Sequence, residues 1–249
     1  MKAKTAGKGS WKERNKKAFK QMTVKQKIAY IAEYYRLPLF TACVVLLVAV
    51  TSVVHAVTKK KPVLYLAYTN AAVGDDLDQK LTAGFLDYIE ADQKKFEVLV
   101  YKGLYLDEDA DAENHRYVYA SKMKIMGAIS AKQMDMMLMN DSALQELSAS
   151  GLLMDLTVIR DTDPQLYGKL EPYIQKNMVI IEDNAIEYKL NEADSYEAVT
   201  EDIPNSVNVT SFPVFREAGF DGTLQIGIIA NSPRIEADLR YLAYLLDGQ

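Results

Sequence analysis

Hydrophobic and polar positions along this chain change their rhythm twice. From Thr23, the stretch VKQKIAYIAEYY places Val24, Ile28, Ile31 and Tyr35 at helical spacing with Lys25 and Lys27 off that stripe. This predicts an amphipathic helix over 23–36 with Thr23 as its N-cap. Between Leu37 and Val57 charge disappears: LPLFTACVVLLVAVTSVVHAV holds no Asp, Glu, Lys or Arg over 21 positions. As a helix the run is about 31 Å long, which matches the hydrocarbon thickness of a bilayer. After Lys61, short apolar runs alternate with helix-length amphipathic stretches, the pattern of βαβ units around a mainly parallel sheet in an α/β domain.

Within that last region, PVLYLAY (Pro62–Tyr68) reads as a first strand and Thr69–Gly74 as a polar corner. Asp75–Asp92 follows as a helix in which Leu77, Leu81, Phe85 and Ile89 repeat every four residues, with Asp75, Asp76 and Asp78 in a first turn whose dipole favours them. FEVLVY is a second strand, Ala112–Ala131 a helix, and MDMMLM (Met134–Met139) a third, buried strand. Asn140, Asp141 and Ser142 cap a short helix that Gly151 closes in Schellman fashion, and Leu152–Leu156 returns along the sheet. Thr157–Asp221 offers one hairpin, Met178–Leu190 turning at Asp183-Asn184, and a loop-like stretch at Ile203–Pro213. GTLQIGIIANS (Gly222–Ser232) and PRIEADLRYLAYLL then supply a late strand and a last helix.

Charge gives the chain a direction. Met1–Arg36 carries nine Lys and two Arg against Glu13 and Glu33, a net of +9, whereas the residues after the apolar run hold 18 basic and 32 acidic side chains, a net of −14. Met1–Met22 lacks apolar periodicity and is expected to be a disordered basic tail. With Trp11 and Phe19 as its only aromatics, the tail does not suggest nucleic acid as a partner. A basic flank before an apolar span places the N-terminus in the cytoplasm, so the expected topology is a tail over 1–22, a juxtamembrane helix over 23–36, a membrane helix over 37–57 with the lipid bilayer as its partner, and an extracytoplasmic domain over 62–249. A cleavable signal peptide at Val54-His55-Ala56 fits less well, because the apolar run is too long and its lead too extended. A lipid-modified Cys43 would need its apolar stretch before the cysteine, where there are only Leu37, Leu39 and Phe40. Against a buried core helix stand Tyr30, Tyr34 and Tyr35 on one side and Lys59-Lys60-Lys61 on the other. Cys43 is the sole cysteine, which excludes an intrachain disulfide.

Chemistry is sparse. With His55 and His115 the only histidines, there is no HExxH site and no Ser-His-Asp spacing, and GxSxG and GxGxxG are absent. Asp107, Asp109 and Asp111 begin like a calcium loop, but Ala112 replaces its turn glycine and Val118 its bidentate glutamate. The expectation is therefore a non-catalytic protein without metal or cofactor. A ligand of an α/β domain sits at the carboxyl ends of its parallel strands. The candidates there are Tyr68, Thr69 and Asn70 after the first strand, Asn140, Asp141 and Ser142 after the third, and Asn231 and Ser232 after the late one, with Tyr101 lining the same edge. Each also has a plainer role as cap or turn former.

MDMMLMNDSALQELSASGLLMDLT resembles the segment of ABC-importer solute-binding proteins, type II periplasmic-binding fold, in which a buried strand and polar turn precede a short helix ending in G.L.DL. GTLQIGIIANS with PRIEADLRYLAYLL is similar to the late strand and final helix of that family, and YI.EYY before the span resembles single-pass membrane proteins of Gram-positive bacteria. The resemblance implies a membrane-anchored, reduced binding lobe that takes a small solute or docks on an ABC-type transporter. Residues 157–221 leave room for no more than a rudimentary second lobe. An alternative from another class stays open: a structural or regulatory envelope protein whose α/β domain contacts a partner protein and no longer binds a ligand.

Overall fold

The computed structural model describes residues 36–106, 114–190, 193–217 and 222–248, with 22–27 and positions 16, 20 and 29 before them. Apart from 16, 20 and 22, the tail expected over 1–22 lies outside the described residues, as does the acidic loop Asp107–Asp111. Two units are distinguished, Met1–Lys59 and Lys60–Gln249.

In the first unit, Thr23 behaves as the cap its position suggests. Lys27 N–H donates to the Thr23 carbonyl at 2.9 Å, and Thr23 N–H donates to Gln26 Oε1 at 3.0 Å, the backward arm of a T-x-x-Q capping box. Helix α1 follows as 23 residues, Arg36–Thr58. Its described side chains, at 38 and 40–51, are exposed. Among the described residues no helix is long and apolar enough to cross a membrane.

The second unit is a mixed α/β fold on a six-stranded sheet of order β2-β1-β3-β6-β5-β4. β1 (Lys61–Thr69) lies parallel to β2 (Phe96–Leu104) and to β3 (Met136–Met139), as the βαβ pattern implies. The other half departs from that pattern: β6 (Gln225–Ile228), β5 (Ala198–Asn208) and β4 (Ile174–Asp183) are each antiparallel to their neighbours. Residues 157–221 thus supply α6 (Thr157–Thr162), α7 (Pro164–Leu170) and two strands of this same sheet. The return expected at Leu152–Leu156 is realised as a single bridge, Leu153 to Ile229.

Alternation sorts the strand residues onto two cores. Leu64, Leu66, Tyr68, Met136, Leu138, Ile226 and Ile228 share one cluster with α2 (Asp75–Gln79), α3 (Phe85–Tyr88) and the last helix, α10 (Ile235–Asp247). Ala67, Met137, Met139 and Ile229 face the other, under α4 (His115–Ser130) and α5 (Asp141–Ala149). Between α2 and α3 the helix widens into a π turn, Lys80–Gly84. Its carbonyls are taken by α10, where Tyr241 Oη donates to Leu81 O at 3.0 Å and Tyr244 Oη to Lys80 O at 2.6 Å. Gly84 makes room for this, since a Cβ there would stand 2.5 Å from Tyr244 Oη. Gly151 closes α5 as expected, with φ 65° and Leu152 N–H reaching back to Leu147 O.

Two sequence expectations for 178–213 are corrected. The hairpin does not close at Asp183-Asn184: α8 (Ala185–Lys189) intervenes, and β4 pairs with β5. Asn184 is the clasp at the base of the wider loop, accepting from Glu197 N–H at 2.7 Å and donating to Ser195 O at 2.9 Å. Of the stretch expected to be loop-like at Ile203–Pro213, Ile203–Asn208 is strand. Pro204 sits opposite Lys176 beside a register shift, where a missing N–H does least harm.

Candidate functional site

Because β6 and β4 begin where β1, β2 and β3 end, one edge of the sheet collects termini from all six strands. Thr69 pairs with Leu104 and with Met139, Met139 with Gln225, Gln225 with Asn208, and Val207 with Ile174. A polar chain runs along it. Asn70, in the left-handed region at φ 52°, accepts Leu106 N–H on Oδ1 at 2.8 Å, while its Nδ2 donates to the Leu106 carbonyl and to Asn140 Oδ1. Asn140 caps α5 by accepting Ala143 N–H at 3.0 Å. The next residue, Asp141, accepts from Thr223 Oγ1 at 2.6 Å and from Gln225 Nε2 at 3.2 Å. Gln225 Nε2 also donates to Gln175 Oε1 at 3.0 Å.

Thr69 and Gln225 flank Met139 in one register row and so share its face of the sheet. Both are buried, and neither Thr69 Oγ1 nor Gln225 Oε1 has a hydrogen-bond partner. An unsatisfied buried group costs about 1–3 kcal/mol, so two in one row mark this edge as something other than simple core.

From Gln175 the chain opens into a cleft of about 630 Å³ between the start of α9 (Pro213–Glu217) and the turn Glu171–Tyr173, lined by Tyr173, Gln175, Asn208, Thr210, Ser211 and Arg216. Tyr173 is held edge-on to Phe212 with centroids 5.0 Å apart. Thr210 Oγ1 accepts Leu224 N–H at 2.8 Å, and Asn208 Oδ1 accepts Thr210 N–H at 3.1 Å. Arg216 is exposed and has no acidic partner among the described residues. The edge thus offers an incoming group a guanidinium unpaired among the described residues, amide and hydroxyl groups, and an aromatic wall.

Thr69, Asn70, Asn140 and Asp141 lie at this edge; Tyr68, Tyr101, Ser142, Asn231 and Ser232 do not join them. Tyr68 turns into the first core, where its hydroxyl donates to Asp78 Oδ1 at 3.1 Å, and burial, reinforced by the Asp78 charge, pushes its pKa well above the ordinary tyrosine value. Ser142 is exposed one residue along α5. Tyr101 lies three residues short of the end of β2, with its ring 6.5 Å from that of Tyr65 and Lys124 Nζ 5.5 Å from its centroid. Asn231 and Ser232 stand at the opposite edge, because β6 runs against β3 and its carboxyl end is at the amino ends of the parallel strands. Asn231 Nδ2 donates there to Ile129 O at 3.1 Å, and Ser232 belongs to a buried knot with Asp135, Arg234 and Asp238.

Sequence reading missed Gln175, Arg216, Thr223 and Gln225. A signal existed for Gln225: an amide inside the otherwise apolar run LQIGII demands a buried partner. No protein family, curated protein or solved structure matches this chain.

Proposed function

We propose that this is a membrane-anchored, extracytoplasmic solute-binding-like protein, held by Leu37–Val57 and taking a small acidic solute at the polar edge of its α/β domain without catalysing a reaction. The observation that carries the reading is the cleft at Arg216. Its cation is unpaired among the described residues and its neighbours are amides and hydroxyls, so it suits a carboxylate or phosphate ester better than a neutral sugar. The resemblance of MDMMLMNDSALQELSASGLLMDLT to ABC-importer binding proteins supports the same reading. The apolar, uncharged run within the 23-residue α1 supports the anchor. Residues 60–249, which contain both apolar cores, are to be heated with a panel of amino acids, dicarboxylates, sugar phosphates and neutral sugars. An acidic ligand should raise Tm in the wild type and leave Arg216→Ala unmoved. Equal shifts in the two proteins, or none with any acid, would remove the cleft as the site.

A second reading, docking on a transporter or another envelope protein, is favoured by the β4–β5 ribbon. β5 pairs with β6 only at Val207 and Asn208, so the rest of the strand is partnered by β4 alone. Met178, Ile181, Ile186, Leu190 and Val199 are exposed on this ribbon and the loop at its end. Ile181→Asp with Val199→Asp should abolish co-purification of a membrane partner while sparing any ligand-induced Tm shift.

A further inference from the structure

We propose that the amino edge of the sheet docks on anionic phospholipid headgroups. The proposal rests on the anchor reading above and is independent of the solute cleft. α1 ends at Thr58 and β1 begins at Lys61, so two intervening residues, about 7 Å of extended chain per pair, separate the end of the apolar helix from the start of the sheet. In an anchored chain the start of β1, at this edge, is therefore tied by the covalent chain a few residues from the leaflet.

Basic residues gather at that same edge in a domain that is otherwise acidic. Lys61 N–H donates to Lys95 O at 2.8 Å, which brings exposed Lys60, Lys61, Lys94 and Lys95 to the joined starts of β1 and β2. Arg234 Nη2 donates to Lys132 O at 2.6 Å, so the approach to β3 adds exposed Lys132 beside the start of α10. Between the two lies a notch of about 490 Å³ whose lining is apolar at Pro62, Val63, Phe85 and Ile89 and charged at Arg234, Arg240 and Glu236. An apolar lining with guanidinium groups suits a phosphodiester with the first carbons of its glycerol attached. A free phosphate would leave the apolar lining unused.

The acidic side chains at this edge do not cancel its basic charge. Asp92 pairs with Lys95 at 3.4 Å and Glu236 with Arg240 at 2.7 Å, but all four are well exposed, and pairs of that kind are weak enough for a phosphate to displace. Arg234 is different: its Nε is fixed on buried Asp135 at 2.7 Å, which presents the rest of the guanidinium at a set angle over the Tyr65 ring. The opposite edge sets Asp75, Asp76 and Asp141 beside Arg216, with Glu217 paired to Lys80 at 3.0 Å, and has no comparable cluster of lysines among the described residues.

The test uses the full-length chain in nanodiscs of phosphatidylcholine alone or with phosphatidylglycerol added, read by hydrogen exchange. Docking predicts slower exchange over 61–66 and 233–241 in the anionic discs, lost at about 0.5 M NaCl, where the Debye length falls to about 4 Å. Lys94→Gln and Arg240→Gln should each weaken that protection by about fivefold, and 174–183 should be unaffected. A chain that enters both kinds of disc and exchanges identically in them overturns the docking and leaves the anchor standing. A chain that enters neither overturns the anchor and the docking with it, and leaves the cleft to be judged by its ligands.

Discussion

Replacing Asp238 by Asn tests how the buried knot at the amino edge distributes its protons. Asp238 is fully buried, with Oδ2 2.7 Å from Ser232 Oγ and Oδ1 without a partner. Ser232 Oγ also lies 2.9 Å from Asp135 Oδ1 and accepts Arg234 N–H at 3.2 Å. One hydroxyl proton cannot serve two carboxylates. Asp135 already receives the Arg234 guanidinium and Tyr65 N–H on Oδ2, which makes it the natural acceptor for Ser232. Asp238 then carries its own proton and donates it to Ser232 Oγ, and its bare Oδ1 is the carbonyl oxygen of a neutral acid. Burial first, and the Asp135 charge after it, raise the Asp238 pKa to about 7, against the opposing pull of the Arg234 charge.

The sign follows from which state holds the proton. Between an unfolded value of about 3.9 and the folded value of about 7, the native chain binds a proton that the unfolded chain has lost, so stability falls as pH rises through that window. At about 1.4 kcal/mol per pH unit the loss sums to about 4 kcal/mol, complete just above pH 7. Asn has the shape of the protonated acid, and its Nδ2 can donate to Ser232 in the same way. Asp238→Asn should therefore match the wild type near pH 4 and exceed it by about 4 kcal/mol at pH 8. Urea titrations of residues 60–249 across that range, followed by circular dichroism, measure the difference, and subtracting the variant cancels every other titrating group. Parallel stability curves would show Asp238 titrating alike in both states and would refute the proton assignment.

Tyr241→Phe removes the hydroxyl's hydrogen bond to Leu81 O, at a cost of about 0.5–1.5 kcal/mol in urea unfolding; a loss below about 0.3 kcal/mol would mean that the π turn does not depend on this contact with α10. Gly84→Ala sets a methyl against Tyr244 Oη and should cost about 1–3 kcal/mol, and less in a Tyr244→Phe background. Asn70→Gly keeps the left-handed backbone but loses the bonds to Leu106 and Asn140. Asn70→Ala should be less stable than Asn70→Gly by about 1–2 kcal/mol, the cost of a Cβ at φ 52°, and equal stabilities would place the value of Asn70 in its side chain alone.

Some of this structure was written in local pattern more fully than a helix-or-strand reading extracts. Leu77, Leu81, Phe85 and Ile89 are each four apart, and in a regular α-helix each such step drifts by about 40°. Three steps would carry Ile89 well round from Leu77, yet all four lie on one cluster. The π turn at Lys80–Gly84, which inserts a residue, brings the stripe back into phase, so a strict four-residue repeat was itself the sign of it. The caps at Thr23 and Asn140 and the closing glycine at 151 were likewise legible, because each depends on its own side chain or φ.

Strand direction was not legible, and the misplaced site residues follow from that. Nothing in QIGI differs between a parallel and an antiparallel neighbour of β3; the direction is fixed by where the preceding chain leaves it, and β5 delivers the chain to the edge where β3 ends. That reversal has opposite effects at the two edges. It carries Asn231 and Ser232 away from Asn140: Asn231 binds the Ile129 carbonyl at the end of α4, and Ser232 enters a knot with Asp135, Arg234 and Asp238 that holds β3 to α10. It also brings the starts of β6 and β4 to the ends of β1 and β3, which is why Gln225 and Gln175 can hand the hydrogen-bond chain from Asp141 on to the Arg216 cleft. In an all-parallel sheet the same residues would lie a strand length apart. The polar edge is thus a product of the mixed topology, and Gln225 is its joint: Gln225→Leu would satisfy the burial of that row and cut the chain, so the Arg216 cleft should lose ligand affinity while the fold gains or keeps its stability.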